Sequence, residues 1–388
     1  MLPDRPLRIL FASPAYWPAT AFGGPISMAR ELNEGMVRLG HEVDVVTSSL
    51  VDLGRPASRR SRTRVVEGVS VHYLATPLRY RWMGITPTLP VQLRRLPRPD
   101  VVHLFGLRDV VTTAVGLWAR RRGIPYVLEP LGMFRPAFRK VRTKRAFDAL
   151  VAARVVDGAA LLVATSTLER DELVAGGVDA ARVAIRPNGF PATRPAARSG
   201  RLRARLGLSE REPLVLSVGR ITRKKGLDLL VDAMRDVPDA SLAIVGPDDR
   251  DGTSALIERL RTANGLGERV RMVPPLGEEV PLDVYGEADV FVLPSRGESF
   301  GMVAAEAAAA GTPSVVTDRC GVAELLAGKG ALVVPCERNA IRDALLELLR
   351  DEELRRRLGE GARAVAEELS WDEVVRRQEA LYRRVTRS

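Results

Sequence analysis

The stretch Ala288–Asp318, ADVFVLPSRGESFGMVAAEAAAAGTPSVVTD, is the most informative part of this chain about its fold. Its apolar runs Val290–Leu293 and Thr312–Val316 predict two buried parallel strands. Between them, a Pro-Ser-Arg-Gly loop leads to Glu298 and then to an alanine-rich helix that bears Glu306. The stretch therefore predicts a strand–loop–helix–strand crossover with one carboxylate in the loop and another inside the helix.

The start of this helix, near Gly301, is a predicted anion site. The first backbone N–H groups of a helix lack partners inside it, and the positive end of the helix dipole lies there. Phosphate groups bind well at such a place. Amides suit a phosphate and the two carboxylates suit hydroxyl groups, so the unit fits a phosphorylated sugar.

The alternation of strand-like and helix-like stretches extends over the whole chain and predicts doubly wound parallel sheets. Arg186-Pro187-Asn188-Gly189 interrupts it, and the polar segment Arg194–Arg205 follows, so we place the linker there. We predict two Rossmann-like α/β domains, residues 1–189 and 190–369. The predicted strands are Leu7–Ala12, Glu42–Thr47, Val65–Leu74 (a strand or a hairpin), Val101–Phe105, Tyr126–Leu128, Leu161–Ala164, Leu214–Val218, Leu242–Val245, Val270–Val273, Val290–Leu293, Ser314–Thr317 and Ala331–Val334.

Composition limits the class of protein. The chain has 388 residues, of which 46% are hydrophobic and 28% charged, and this suits two folded domains of ordinary size. Two cysteines, Cys320 and Cys336, are too few for a disulfide framework and indicate a reducing compartment. No apolar run is long enough to span a bilayer, and the first residues do not resemble a secretion signal. We therefore expect a cytoplasmic protein.

The net charge of +11 lies in the N-terminal half. Up to Arg186 there are 28 Lys and Arg against 16 Asp and Glu, and after it 31 against 32. A nucleic-acid partner, an anionic membrane surface and a merely solvated arginine-rich surface all fit this excess. Phe134–Phe147, FRPAFRKVRTKRAF, interleaves basic and apolar residues. It indicates peripheral contact with the inner face of an anionic membrane, and a solvated helix face or an anionic acceptor are the alternatives.

The block around Glu298 and Glu306 resembles the mark of a known family, the retaining, nucleotide-sugar-dependent glycosyltransferases with the GT-B fold. That mark is a Glu, seven residues and a second Glu in a Pro-Ser…Glu-x-Phe-Gly…Glu-Ala…Ala-x-Gly-x-Pro context. The matching residues around the two glutamates are Pro294, Ser295, Phe300, Gly301, Ala307, Gly311 and Pro313. The resemblance implies two Rossmann-like domains facing across a cleft, the first for the acceptor and the second for the nucleotide sugar. It also implies that the last helix, residues 370–388, packs back on the first domain.

The resemblance assigns the catalytic residues to the second domain. Arg220 and Lys225 follow the strand Leu214–Val218 and are expected to stabilise the leaving nucleoside diphosphate, one as a fork and the other as a point charge. We prefer Lys225 over Lys224 because Lys225 precedes the glycine, as in the family. Glu298 is expected to hold the hydroxyls of the donor sugar.

Donor-binding residues follow by the same resemblance. Glu306 is expected to accept hydrogen bonds from the ribose hydroxyls, and the amides of Gly301, Met302 and Val303 to bind the distal phosphate. Gly24, in the Gly23-Gly24 loop, is expected to contact the donor phosphate and the acceptor side.

The acceptor side departs from the family. Many relatives place a histidine there in a Pro-His-Gly-Met context, whereas this chain has Leu131 at the matching position. His103 and Glu129 are the acceptor-side candidates, and a histidine that caps a strand is the alternative for His103.

No metal and no cofactor are expected. Asp249-Arg250-Asp251 forms a DxD triplet, which signals a metal in other nucleotide-sugar enzymes, but it lies in an acidic loop. The resemblance implies cationic side chains and a helix start in place of a metal, and the histidines and cysteines lack ligand spacing.

Together these features predict a metal-independent, hexosyl-type transferase that uses a nucleotide diphosphate sugar. The expected acceptor is a glycan or a lipid-linked glycan in cell-surface polysaccharide or glycolipid biosynthesis, and nucleic acid is not an expected partner. A catalytically silent nucleotide-sugar-binding scaffold and a GT-B nucleotide-sugar epimerase are the alternatives. The base of the donor is expected to meet the loop Pro274–Glu278 mainly through its backbone.

Overall fold

The computed structural model describes residues 5–52, 54–80, 82–134, 152–193, 199–276 and 280–387. The chain divides into two compact units: unit 1 is Met1–Pro187 with Trp371–Ser388, and unit 2 is Asn188–Ser370. Most of the basic stretch, part of the predicted linker and the end of the predicted base loop lie outside the described residues.

Unit 1 is built around an eight-stranded sheet in the order β10-β9-β8-β7-β1-β2-β4-β3. Its elements are β1 (Arg8–Ser13), α1 (Gly24–Arg38), β2 (Glu42–Ser48), β3 (Arg62–Val66), β4 (Val69–Leu74), β5 (Leu78–Tyr80), β6 (Met83–Ile85), α2 (Leu89–Arg95), β7 (Val101–Phe105), α3 (Val110–Arg121), β8 (Tyr126–Glu129), α4 (Ala153–Gly158), β9 (Leu161–Ala164), α5 (Thr167–Ala175) and β10 (Val183–Ile185). The predicted strand or hairpin at Val65–Leu74 is a hairpin, because β3 pairs antiparallel with β4 while the other neighbours in this sheet are parallel.

Unit 2 is built around a six-stranded parallel sheet in the order β13-β12-β11-β14-β15-β16. Its elements are α6 (Arg201–Leu206), β11 (Leu214–Val218), α7 (Leu227–Ala233), β12 (Ser241–Val245), α8 (Thr253–Ala263), β13 (Val270–Val273), α9 (Leu282–Gly286), β14 (Val290–Leu293), α10 (Met302–Ala310), β15 (Ser314–Thr317), α11 (Ala323–Leu326), β16 (Ala331–Val334), α12 (Arg338–Arg350) and α13 (Glu352–Glu368). The final helix, α14 (Trp371–Arg387), belongs to unit 1.

Both sheets are covered on their two faces, which confirms the predicted pair of doubly wound α/β folds. In β14, Val290 and Val292 join one buried cluster and Phe291 and Leu293 join another, because successive strand residues point to opposite faces. In β7, the residues on either side of His103 pack with α3, whereas His103 contacts α14. The continuous apolar runs of the sequence are therefore strands buried on both sides.

The strand order in unit 2 reverses between β11 and β14. β11 pairs with β12 on one side and with β14 on the other. The segments that follow β11 and β14 therefore begin at neighbouring strand ends. Open α/β sheets bind ligands outside the carboxyl ends of the strands at such a point. This topology places the segments after Val218 and after Leu293 side by side.

The helix α14 packs within unit 1. A side chain at Gly35 of α1 would lie 2.3 Å from Val375 Cγ2, so the two helices approach closely only because position 35 is a glycine. Among the described residues, no helix is both long and apolar enough to cross a membrane.

Candidate active site

Lys225 and Glu298 form an ion pair at the point where the strand order of unit 2 reverses. Lys225 Nζ lies 3.0 Å from Glu298 Oε1, and the two side chains are 17% and 16% exposed. Lys225 ends a short turn after β11, and Glu298 lies in the loop after β14. The topology therefore brings together two of the three predicted catalytic residues.

The pKa of Glu298 shows how this pair is balanced. Burial alone would raise the pKa of the carboxyl, but the positive charges of Lys225 and Lys224 and hydrogen bonds from Lys225 and Ser295 outweigh it. The net result is a pKa below the ordinary glutamate value. Glu298 is therefore an ionised, acceptor-only group at neutral pH.

A second ion pair joins the two loops that carry Lys225 and Glu298. The Arg296 guanidinium donates to both carboxylate oxygens of Asp228, each at 2.7 Å, and the Arg296 backbone N–H donates to the Lys224 carbonyl at 2.8 Å. A side chain at Gly226 would lie 2.0 Å from the Pro294 carbonyl oxygen, so backbone meets backbone there. These contacts hold the turn after β11 against the loop after β14.

The helix α10 begins beside this pair. Gly301 caps it with φ +111°, a value that favours glycine, and a Cβ there would lie 2.8 Å from Leu293 Cδ2. The helix proper starts at Met302, one residue later than the sequence predicts, so the amides of Met302 and Val303 belong to its first turn. The first turn thus offers the donors of an anion site.

Glu306 is a half-buried carboxylate in a helix that otherwise consists mostly of buried alanine. The hydroxyl of Tyr285, which belongs to α9 and is fully buried, donates a hydrogen bond to Glu306 Oε2. The carboxylate of Glu306 therefore has a defined partner inside unit 2.

Arg220 is the most exposed of the predicted donor-side residues. Its side chain is 55% exposed, and its guanidinium lies 3.4 Å from Asp249 Oδ1. Asp249 belongs to the DxD triplet, and Asp251 of that triplet accepts hydrogen bonds from the Thr222 hydroxyl and from the Thr253 backbone N–H. No group of histidine, cysteine and acidic residues in the described ranges has the arrangement of a metal site.

The remaining predicted site residues lie in unit 1. Gly24 is the first residue of α1, next to Gly23, which caps the helix with φ +87°. His103 and Glu129 are both fully buried, with His103 Nε2 3.3 Å from Glu129 Oε2. Both side chains are enclosed in this structure, and their contact with an acceptor stays a prediction.

A buried network surrounds His103 and Glu129. Arg186 donates to Glu129 at 2.5 Å, and the hydroxyl of Tyr382 lies 2.7 Å from His103 Nδ1. Burial lowers the pKa of His103. Burial works against ionisation of Glu129, but the charge of Arg186 outweighs it, so the pKa of Glu129 is lowered. The network thus contains an ionised glutamate, a neutral histidine and an arginine.

Sequence reasoning missed several of these partners. Tyr285, Arg296 and Asp228 hold predicted site residues, and Arg186 and Tyr382 complete the buried network. Arg296 lies inside the quoted family block, and Asp228 lies two residues after Gly226. Their positions within or next to the motifs are the sequence signals that point to them.

Comparisons with known proteins agree with the observed architecture. The family model described as "Glycosyl transferases group 1" matches residues 199–365, and the model described as "Glycosyl transferase 4-like domain" matches residues 23–189. A D-inositol 3-phosphate glycosyltransferase of Nocardioides sp. is 30% identical over 414 residues, which cover 97% of this chain and 88% of the relative. Another, of Xylanimonas cellulosilytica, is 35% identical over 246 residues, which cover 60% of this chain and 59% of the relative. The match thus spans less than two thirds of that second relative.

Solved structures show the same fold. Sucrose-phosphate synthase of Thermosynechococcus elongatus is 24% identical, with a TM-score of 0.76 and coverage of 97% of this chain and 98% of that chain. HepE of Anabaena, solved in complex with UDP and glucose, is 18% identical, with a TM-score of 0.75 and coverage of 97% and 99%. Both likenesses establish the GT-B architecture that the quoted motif implies.

Proposed function

This chain belongs to the glycosyl transferases of group 1, and we propose that it transfers a hexose-type sugar from a nucleoside diphosphate sugar to an acceptor hydroxyl. The observation that carries this proposal is the Lys225–Glu298 pair beside the start of α10. A cation, a set of backbone donors and an ionised acceptor meet there, as a phosphate next to a sugar requires.

The donor is proposed to bind to unit 2. Met302 and Val303 would donate to the distal phosphate, Glu306 would accept from the ribose and Glu298 from the sugar. The crystallised complex of the structural neighbour HepE with UDP and glucose supports a nucleotide of this class. Unit 1 is proposed to receive the acceptor, with Gly24 at its first helix.

The chemical step breaks the bond between the anomeric carbon and the diphosphate oxygen. Negative charge develops on the diphosphate, and Lys225, Arg220 and the amides of α10 would stabilise it without a metal. The acceptor oxygen forms the new bond on the same face, and its proton passes to the departing diphosphate. The configuration at the anomeric carbon is then retained.

Two kinds of acceptor fit the chemistry. The relatives are named D-inositol 3-phosphate glycosyltransferases, which supports a polyol phosphate, and the basic excess up to Arg186 suits an anionic acceptor. A glycan or lipid-linked glycan in polysaccharide or glycolipid synthesis is the other candidate. Contact of the stretch Phe134–Phe147 with an anionic membrane is a further part of the proposal, and it rests on the sequence because most of that stretch lies outside the described residues.

The test combines donor and acceptor panels. The purified chain is incubated with UDP-, GDP- and ADP-linked hexoses and either inositol phosphates or lipid-linked glycans, with and without a chelator. We expect one donor to give a product whose anomeric configuration by NMR is that of the donor, at an unchanged rate with chelator. An inverted product, or a rate that collapses with chelator, contradicts the proposed mechanism.

Donor incubated alone separates the alternatives. Slow hydrolysis of the donor supports a transferase, and an epimerised sugar supports an epimerase. A donor that binds and is not turned over, here or with any acceptor, supports a silent scaffold.

A further inference from the structure

We propose that Tyr285 is a positioning residue that fixes the carboxylate of Glu306 for two neighbouring hydroxyls. It would thereby make unit 2 selective for ribonucleotides over deoxyribonucleotides. This inference rests on the ribose role that the proposed function gives to Glu306. The inference adds Tyr285, which the sequence analysis did not single out. It also names deoxyribonucleotides as a class of ligand that unit 2 rejects.

The hydroxyl of Tyr285 is held in place from several sides. Its ring packs against Phe291 of β14 with a centroid distance of 5.7 Å, and its carbonyl oxygen accepts a hydrogen bond from the Thr312 hydroxyl at 2.8 Å. The residue is fully buried. A rigid donor therefore meets Glu306 Oε2.

Tyr285 keeps its phenolic proton at neutral pH. The pKa of the Tyr285 phenol is raised well above its ordinary value, mainly by burial and to a lesser extent by the charge of Glu306. The phenol therefore remains a donor to the carboxylate, and Glu306 remains the acceptor. The direction of this hydrogen bond does not change with pH near neutrality.

This contact contributes to the ordering of the Glu306 side chain. The neighbours of Glu306 in α10 are alanines from Ala304 to Ala310, which have no polar atoms beyond the backbone. A glutamate loses much rotamer freedom when it binds a ligand, and the bond to Tyr285 removes part of that freedom in advance. The expected benefit is tighter binding of any ligand that uses the carboxylate.

The ligand that benefits must supply donors. An ionised carboxylate only accepts hydrogen bonds, and a pair of ribose hydroxyls presents two donors to it. A site built to bind a hydroxyl rejects an analogue that lacks it, because the site's own polar group is then left without its partner. Selectivity for ribose should therefore depend on the hydroxyl of Tyr285 as well as on Glu306.

The experiment compares matched nucleotides. Binding of UDP, GDP and ADP and of their 2′-deoxy forms is measured by calorimetry with the wild-type chain and with Tyr285→Phe. For the base that binds, we expect Tyr285→Phe to weaken the ribonucleotide about ten-fold and the deoxynucleotide less than about two-fold. If Tyr285→Phe weakens binding of the ribonucleotide and of the deoxynucleotide equally, Tyr285 has a merely structural role and the proposal is overturned. It is overturned as well if the variant binds both nucleotides as tightly as the wild type.

Two further variants keep the outcome clear. Tyr126→Phe removes a buried tyrosine hydroxyl in unit 1, which donates to the Val155 carbonyl at 2.6 Å, and should leave both affinities unchanged. Should Tyr285→Phe not fold, Glu306→Asp withdraws the carboxylate from an intact Tyr285. The same loss, confined to the ribonucleotide, is then expected, and an unaltered preference for ribose overturns the proposal.

Failure of the proposed function looks different. If the wild-type chain binds no nucleoside diphosphate, the transferase proposal falls. If it binds and transfers but Tyr285→Phe keeps full selectivity for ribose, only the inference about Tyr285 falls.

Discussion

Two glutamates occupy similar places in the two sheets and have opposite surroundings. Glu129 ends β8 in unit 1 and Glu298 follows β14 in unit 2, and each forms an ion pair, with Arg186 and Lys225 respectively. Glu129 and its partner Arg186 are almost completely enclosed by protein, whereas the pair of Glu298 and Lys225 reaches water. The chemistry is alike, so burial is what separates them.

The two ion pairs differ in how easily a ligand can reach them. An enclosed ion pair must be satisfied by the protein itself, because each charge loses its hydration on folding. A pair that reaches water can exchange one partner for a ligand at a smaller cost. This favours a structural role for Glu129 and a ligand-binding role for Glu298.

The largest expected effect is on the stability of unit 1. Glu129→Gln leaves Arg186 charged and enclosed, so we expect the free energy of unfolding to fall by about 3–5 kcal/mol. The four tryptophans of the chain, Trp17, Trp82, Trp118 and Trp371, all belong to unit 1, so their fluorescence in denaturant reports on that unit.

Glu298→Gln is the matched change and should leave the tryptophan transition where it is while transfer falls. The comparison breaks if Glu129→Gln is as stable as the wild type and instead raises KM for the acceptor. Glu129 would then be the acceptor-side residue that the sequence suggested.

The next effect is on catalysis in unit 2. Lys225→Ala removes the cation nearest to Glu298 and should lower kcat by roughly 10²–10³-fold, the usual consequence of losing one charge-stabilising donor. Steady-state rates with the identified donor measure it. Lys224→Ala, one residue earlier, is the control and should lose far less. Turnover of Lys225→Ala at the wild-type rate, in a chain that folds normally, would refute the assignment.

A third prediction concerns the buried carboxyl of Asp109. Its described hydrogen-bond donors do not include an arginine. Asp109 caps α3 and accepts from the backbone N–H groups of Val111 and Thr112, and burial raises its pKa to about 6. The carboxyl of Asp109 therefore loses its proton at a lower pH in the unfolded chain than in the folded chain. Stability from Asp109 is therefore full below about pH 4 and falls as pH rises through about 6, by up to about 3 kcal/mol.

Asp109→Asn keeps the cap and removes the titration. Tryptophan-monitored unfolding between pH 4 and 7 should show a smaller decline for this variant than for the wild type. Parallel pH profiles for the two proteins would mean that Asp109 ionises normally.

The smallest predicted effect concerns the pair of Arg296 and Asp228. Arg296→Ala removes the fork that holds the two loops together, so Lys225 and Glu298 should lose their alignment. We expect kcat to fall about ten-fold with little change in KM for the donor. Arg296→Lys should recover only part of the rate, because a lysine cannot form both bonds. Equal rates for the three proteins would show that the loops keep their alignment without this pair.

The sequence predicted the sheets well because their strands are continuous apolar runs. Val290–Leu293 and Leu214–Val218 have no polar residue except Ser217, and such runs are typical of parallel strands covered on both faces. Gly226 and Gly301 belong to the quoted motifs, and in the structure both adopt a positive φ, which favours glycine. These local signals located the segments of the candidate site.

The partners of the site residues could not be predicted because they depend on strand order. Arg296 meets Asp228 since β11 and β14 are neighbours, although more than seventy residues separate the two strands. The sequence predicts a polar turn at Arg186, and arginine is usually exposed. The structure encloses it because Glu129 offers a countercharge from another strand.

The position of α14 has a consequence for how the protein is made. Trp371–Arg387 completes unit 1, yet it leaves the ribosome after all of unit 2. During synthesis, the surfaces around Gly35 and His103 must therefore wait without their covering helix while Asn188–Ser370 folds. A fragment that stops at Pro187 should be prone to aggregate, whereas a fragment limited to unit 2 retains its own sheet and core.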